Sequence, residues 1–287
     1  MTHRRALVLM VLVTLLWSTA GVVSRQLESA RSFEVTFWRS AFTALSLLVW
    51  WGLREGRAGW APLAQRSGLL WASAVCWGVM FTSFMLALTL TTVATVLVVM
   101  ALGPLMTAVL ARLVLGRRMA PVTVLAVLMA GAGVAWMFGG SALDLGWGPV
   151  VALLVPAAAS VNWILMQSHA ERAGEVSMPH AVALGALLSA AATLPLAWPL
   201  QASGSDIAWL ALLGATQLAI PCVLLVHLTR VLSATEIALL ALLELVFGVA
   251  WVWMAGEAPG PNTLAGAAVV LAALVFNELK RPRAGGA

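Results

Sequence analysis

With 62% hydrophobic and only 9% charged side chains over 287 residues, and a mean hydropathy of +0.99, the chain lacks the charge to solvate a soluble globule of its size. The formal net charge of +5 does not mark a nucleic-acid surface, because the basic residues stand in short stretches between apolar blocks. Those blocks run to about 20 residues, the length that spans a hydrocarbon core, and backbone in lipid must satisfy its own hydrogen bonds as helix.

In chain order the expected spans are 6–24, 35–53, 67–88, 91–111, 120–139, 148–167, 179–199, 206–228, 233–254 and 261–278. The first follows Met1-Thr2-His3-Arg4-Arg5 and continues past Trp17 without a small-x-small cleavage site, so it reads as a span rather than a leader. Only the Thr89–Thr92 stretch separates the third span from the fourth, and Pro195 and Pro199 lie near the end of the seventh. The fold class is therefore an all-α membrane protein of ten transmembrane helices. Cys76 and Cys222 both fall inside apolar blocks without CxxC spacing and read as small hydrophobes.

Orientation follows from the loops. With the N-terminus inside, Arg4, Arg5, Arg54, Arg57, Arg66, Arg112, Arg117, Arg118, Arg172, Arg230, Lys280, Arg281 and Arg283 are cytoplasmic, 13 of the 16 basic residues. Arg25, Arg31 and Arg39 fall on the other side. That asymmetry is the positive-inside signature and needs an even number of spans. The expected location is a bacterial inner membrane, with both termini cytoplasmic. Every loop is short, so function belongs to the helix bundle or its mouths.

The sequence repeats itself at an offset of 140 residues. Ala94-Thr95 falls on Ala234-Thr235, Ala101-Leu102 on Ala241-Leu242, Leu105 on Leu245, Gly116 on Gly256, Pro121 on Pro261 and Ala132 on Ala272. A loop glycine and a helix-start proline kept in step point to duplication. The repeats are 1–143 and 144–287, five helices each, within a single membrane domain. An odd number of spans inverts the second copy, and the charges agree: Gly116-Arg117-Arg118 lies inside, Gly256-Glu257-Ala258 outside. Inverted repeats are a transporter architecture, since two mirror-related halves can rock around a midplane site.

Leu16-Trp17-Ser18, Phe37-Trp38-Arg39, Ala94-Thr95 with Pro104, Gly116-Arg117-Arg118, Gly131-Ala132-Gly133-Val134, and Ser233-Ala234-Thr235 with Glu244, Gly256-Glu257 and Gly266-Ala267 occur in that order. The pattern resembles the EamA-type branch of the drug/metabolite transporter superfamily over nearly the whole chain, and within it most resembles the bacterial aromatic amino-acid exporters. The resemblance implies export of amino acids or related metabolites by alternating access through a central cavity. Two positions depart from it: Gly116 stands where a Glu is common, and Leu245 follows Glu244 where a proline is common.

An ionisable group mid-span costs roughly 3 kcal/mol to insert, so it is a functional candidate by default. Glu244 is the clearest, suited to a substrate ammonium or a coupling proton. Glu236, His227 and Arg230 sit near span ends, and Arg39, read as one turn inside the outer end, can snorkel. Trp17, Trp77 and Trp163 lie too deep for an interfacial belt and suit the walls of a cavity for a planar or apolar group. Asn162, Gln217, Thr95 and Ser18 complete the candidate substrate set, though such groups also bridge helices. Pro104, Pro156 and Pro221 interrupt spans four, six and eight as candidate bends for gating. The cavity is expected between spans one, three, four, six, eight and nine. Ala126/Ala130 and Ala268/Ala272 give small-xxx-small packing faces on spans five and ten.

No HExxH, P-loop or Ser/His/Asp pattern is present in the sequence, so an enzyme is not expected, and neither is a metal or a cofactor. A lipid or lipid-linked-group flippase of the same superfamily is the closest rival reading. The expected partners are a small-molecule substrate and the bilayer, with no nucleic acid, and the expected state is a monomer.

Overall fold

The computed structural model describes residues 1–19, 23, 26–30, 32–64, 66–91, 96, 99–100, 102–116, 120–138, 147–171, 177–254 and 260–280. Among them there is no strand. The helices are α1 (His3–Ser18), α2 (Ser32–Glu55), α3 (Gly68–Leu90), α4 (Gly103–Leu115), α5 (Pro121–Phe138), α6 (Trp147–Glu171) and α7 (Pro179–Ala197). They are followed by α8 (Gly204–Leu228), α9 in two segments (Ala234–Ala241 and Leu243–Met254) and α10 (Pro261–Lys280). A 3₁₀ segment, Gly56–Ala64, links α2 to α3. Among the described residues, four stretches are long and apolar enough to cross a membrane: Gly68–Ala87, Trp147–Ser168, Pro179–Ala197 and Gly204–Leu228. Gly103–Leu115, Pro121–Trp136 and Leu264–Asn277 are shorter apolar helices.

Local chemistry sets several boundaries. Ser203 and Ser233 open α8 and α9 with reciprocal capping boxes to Asp206 and Glu236. Gly116 ends α4 in the left-handed region at φ 65°, which glycine enters without a Cβ penalty. Proline stands at or next to the first helical position of α4, α5, α7 and α10, where its missing N–H is not needed.

The principal pairings are α5 with α10, α3 with α6 and α7, α2 with α7 and α8, α4 with α6 and α9, and α1 with α8 and α9. Exchange the halves, α1 for α6 through α5 for α10, and this set maps onto itself. Every one of these pairings also crosses from one half to the other, so the repeats interleave rather than form two lobes. The break in α9 extends the correspondence. Leu242 follows Leu102 by 140 residues, and both adopt the same backbone, φ −63° ψ −16° against φ −73° ψ −13°. Each donates its N–H three residues back, to Leu239 O and Val99 O respectively, at 3.1 Å. Hydropathy runs smoothly through both points, which is why continuous spans 91–111 and 233–254 are expected from sequence.

The two ends of the bundle differ. On the N-terminal face, His3 Nε2 lies 2.9 Å from Glu236 Oε1, and His180 stacks on Trp51 at 3.8 Å with its Nε2 2.8 Å from Gly59 O. On the opposite face, Glu34 accepts from the backbone N–H of Gln201 and Ala202, at 2.9 and 2.8 Å. Asp206 accepts from the N–H of Glu28, Ser29, Ala30 and Ser203. These two carboxylates fasten the α1–α2 and α7–α8 connections to each other.

Candidate functional site

Between the helices lies a cavity of about 160 Å³ with a largely apolar wall. Towards the N-terminal face Met10, Val13, Leu70, Leu225, Leu228 and Ile237 are all fully buried and pack an apolar core on that side. Three tryptophans shape the wall. Trp77 and Trp163 meet edge to face at 5.4 Å, Phe81 lies 5.6 Å from Trp77, and Trp17 closes the α1 side. Gly185 lets α7 approach α3 so closely that an added Cβ would meet Ala74 O at 2.8 Å, and this contact sits directly beside Trp77.

Of the residues expected at a site, Glu244, Trp17, Trp77, Trp163, Gln217 and Pro156 all line this cavity. Asn162 and Ser18 are buried outside the lining. Asn162 Oδ1 accepts from Ser73 Oγ at 2.6 Å, tying α6 to α3, and Ser18 Oγ accepts from Trp251 Nε1 at 2.8 Å, tying α1 to α9. Thr95 lies outside the described residues. The lining comes from α1, α3, α4, α6, α8 and α9, with Met100, and α2 adds a member that the expected set of spans omits: Arg39.

Arg39 is 3% exposed and does not snorkel. The reason is depth. The helix begins at Ser32, three residues before the expected span, so Arg39 lies two turns in, about 10 Å along the axis. Among the described residues no hydrogen bond or ion pair closes on its guanidinium or on the Glu244 carboxylate, and its Nε is buried without a partner. Two more orphaned atoms belong to the same wall, Trp77 Nε1 and Gln217 Oε1. The amide nitrogen of Gln217 donates to Trp17 O at 3.3 Å. Buried polar atoms are rarely left unsatisfied in a folded protein, and three further orphans, Thr91 Oγ1, Asn162 Nδ2 and Asn277 Oδ1, belong to residues outside this wall.

The backbone is irregular where the wall is polar. Residues Leu213–Ala219 of α8 form a π-helical turn, with Ile220 N–H donating five residues back to Ala215 O. Pro221 follows directly, without an N–H of its own. Such turns recur at functional sites, because the extra residue re-aims side chains, and Gln217 sits on this one. The turn presses on α2: an added Cβ at Gly214 would meet Arg39 O at 2.7 Å. Pro156 lies inside α6 and its carbonyl accepts from Ser160 Oγ at 2.7 Å, while Pro104 stands in the first turn of α4 rather than within it. The polar residues of the wall, Arg39, Gln217 and Glu244 with the indole of Trp77, thus come from α2, α8, α9 and α3 around an aromatic surface.

No curated protein matches the chain. A solved structure described as "Crystal structure of protein" is similar in fold, with a TM-score of 0.80 at 20% identity over 98% of this chain and 100% of that one. A model of the EamA-like transporter family matches twice, over residues 4–139 and again over 146–278. The two matches coincide with the two sets of helices that exchange under the pairing symmetry, and together they cover nearly the whole sequence: the chain belongs to the EamA-like transporter family.

Proposed function

We propose that this membrane transporter exports amino acids with aromatic or other apolar side chains across a bacterial inner membrane, by alternating access through the central cavity. The observation that carries the reading is the cavity itself. It is walled by three tryptophans and two phenylalanines, holds an unbridged Arg39 and Glu244, and lies between helices of both repeats. An apolar pocket with a few convergent polar groups is the usual form of a small-molecule site. Glu244 serves either a substrate ammonium or a coupling proton. The chain crosses the bilayer ten times with both termini cytoplasmic. Arg4, Arg5, Arg54, Arg57, Arg66, Arg112, Arg230 and Lys280 support that orientation, since all sit at helix ends or connections on the N-terminal face.

Counterflow in proteoliposomes tests the substrate. Labelled tryptophan, phenylalanine or leucine should accumulate against a preloaded unlabelled pool and not in empty vesicles. Absence of exchange for all three, with fluorescent-lipid translocation in the same vesicles, would replace this reading with lipid flipping. For the topology, a reporter active only in the cytoplasm is fused after Ala287; a silent reporter on a correctly inserted fusion would sink the ten-span arrangement.

A further inference from the structure

Away from the cavity, the last turns of α2 carry an exposed apolar stripe towards the N-terminal face. Leu45, Val49 and Leu53 recur every four residues and stand in line along one side of the helix, with Leu53 83% exposed. Any outer helix shows such a stripe to lipid, but this one has walls. On one edge Trp60, from the Gly56–Ala64 segment, folds back onto α2. Its indole N–H donates to Leu48 O at 2.9 Å, and its ring lies over Gly52, where an added Cβ would meet it at 2.9 Å. On the other edge stands Trp50, with the Arg54 guanidinium over its ring, 4.4 Å from the centroid. At about 100° per residue the stripe falls between the two indoles. The wall made by Trp60 is fixed. Gly56 turns the chain at φ 58°, Gly59 is pressed so closely on Trp51 that a Cβ would stand 2.7 Å from its carbonyl oxygen, and Gly59 O accepts from His180 Nε2 at 2.8 Å. A helix with its side chains is about 10–12 Å across, which leaves room for an acyl chain between the rings.

The charge stands at the end of the stripe. Arg54 and Arg57 are exposed there beside one acid, Glu55, and among the described residues neither arginine forms an ion pair. Arg54 spends the face of its guanidinium on Trp50 and keeps its N–H edge for an oxyanion. We propose that this stripe binds one acidic phospholipid of the leaflet on the N-terminal face. An acyl chain lies along Leu45, Val49 and Leu53 between the two indoles, and the phosphate with its acidic headgroup meets Arg54 and Arg57. A zwitterionic lipid fits the stripe equally well but brings an ammonium that the guanidinia repel, so the headgroup and not the chain sets the preference. The bound lipid bridges α2 to the Gly56–Ala64 segment and, through Gly59 and His180, to α7. The site is on the outer surface of the bundle and is independent of the cavity and its solute.

The test counts lipids retained by the intact, delipidated chain after incubation in mixed micelles holding equal amounts of dioleoyl-phosphatidylglycerol and dioleoyl-phosphatidylcholine, by native mass spectrometry. Wild type should retain the acidic lipid at least about fivefold over the zwitterionic one, which is the preference that one basic group at an anionic surface supplies. Arg54→Gln with Arg57→Gln should bring the ratio to within about twofold of parity, whereas Arg4→Gln with Arg5→Gln, an equal loss of charge on the same face, should leave it within about twofold of wild type. Gly52→Ala keeps every charge but displaces Trp60, so it should lower occupancy by the acidic lipid at least about threefold. Soluble glycerol 3-phosphate in excess should displace nothing. Equal retention of both lipids by wild type overturns the proposal without recourse to a variant. An equal loss in the Arg4 and Arg5 pair overturns it by making the attraction a property of the whole face. Full occupancy in Gly52→Ala removes the groove, and displacement by glycerol 3-phosphate replaces the lipid with a free phosphate ester.

Discussion

Glu34 is fully buried at the start of α2, yet its partners lie 167 and 168 residues away on the α7–α8 connection. Its carboxylate holds two backbone N–H groups that are left bare when it is removed. Glu34→Ala should therefore lower stability by about 1–3 kcal/mol, with Glu34→Gln losing less because one oxygen remains. Thermal melting of the detergent-purified variants reads this directly; an unchanged midpoint for Glu34→Ala would show that the loop is held by other contacts. Asn162 and Ser18 belong to the same class. Asn162→Ala, which removes the bond to Ser73, should cost on the order of 0.6 kcal/mol and leave substrate preference in counterflow unaltered. Depth in a span was enough to read Glu244 and the three tryptophans as cavity candidates, because charge or an indole at the midplane has few other uses. It did not separate Gln217, on the wall, from Asn162, between helices. An amide at a given depth carries no record of which face it occupies, and hydropathy is blind to azimuth. Arg39 was legible as an anomaly, but three residues of unexpected helix ahead of it turned a group at the interface into one on the wall.

The α5–α10 pair shows how a single methyl decides a helix crossing. A Cβ added at Gly133 would meet Gly266 O at 2.9 Å and Val269 Cβ at 3.1 Å, whereas one added at Gly131, a half-turn away, finds nothing within 4 Å. Gly133→Val should loosen the crossing and lower both the melting temperature and the monodisperse fraction. Gly131→Ala should be neutral or stabilising by up to about 1 kcal/mol, from helix propensity. Equal behaviour of the two variants would refute the close approach. The small-residue stripe Ala126/Ala130 on α5 is buried as expected, but Ala268 and Ala272 on α10 are exposed, and α10 packs through Gly266, Ala267, Val270 and Ala273 instead, because a small side chain in sequence does not say which face of the helix turns inward. The paired breaks at Leu102 and Leu242 and the π turn of α8 were not readable from sequence, because each keeps an apolar composition and changes only which carbonyl receives a hydrogen bond. Among the three prolines, Pro156 alone lies well inside a regular α-helix; Pro104 belongs to a first turn and Pro221 to the exit of the π turn.

For the whole molecule, the duplication carried more of the fold than any motif. A 140-residue offset predicts two equivalent sets of five helices, and the pairing pattern obeys it. What the offset does not contain is how the sets meet, since equivalence is satisfied by two side-by-side lobes as well as by interleaved helices. The principal pairings all cross between the sets, so neither 1–143 nor 144–287 has a hydrophobic core to itself. Expressed alone, each half should be degraded or aggregate; produced together as separate chains, they should co-purify and recover counterflow. Stable, monodisperse accumulation of either half by itself would contradict the interleaving.

The same interleaving constrains ancestry. A gene encoding one five-helix unit would have made a chain with nothing to pack against except another copy of itself, inserted the opposite way up. Such a chain could not carry a strong charge bias at either end, because half of its molecules had to enter the bilayer reversed. Fusion would remove that constraint, since each copy then keeps one orientation and is free to differ from the other in charge at its ends. It would also free equivalent positions to diverge, and one of them now holds Glu244 in the second copy where the first keeps Pro104, a charge that a symmetric pair would have had to carry twice.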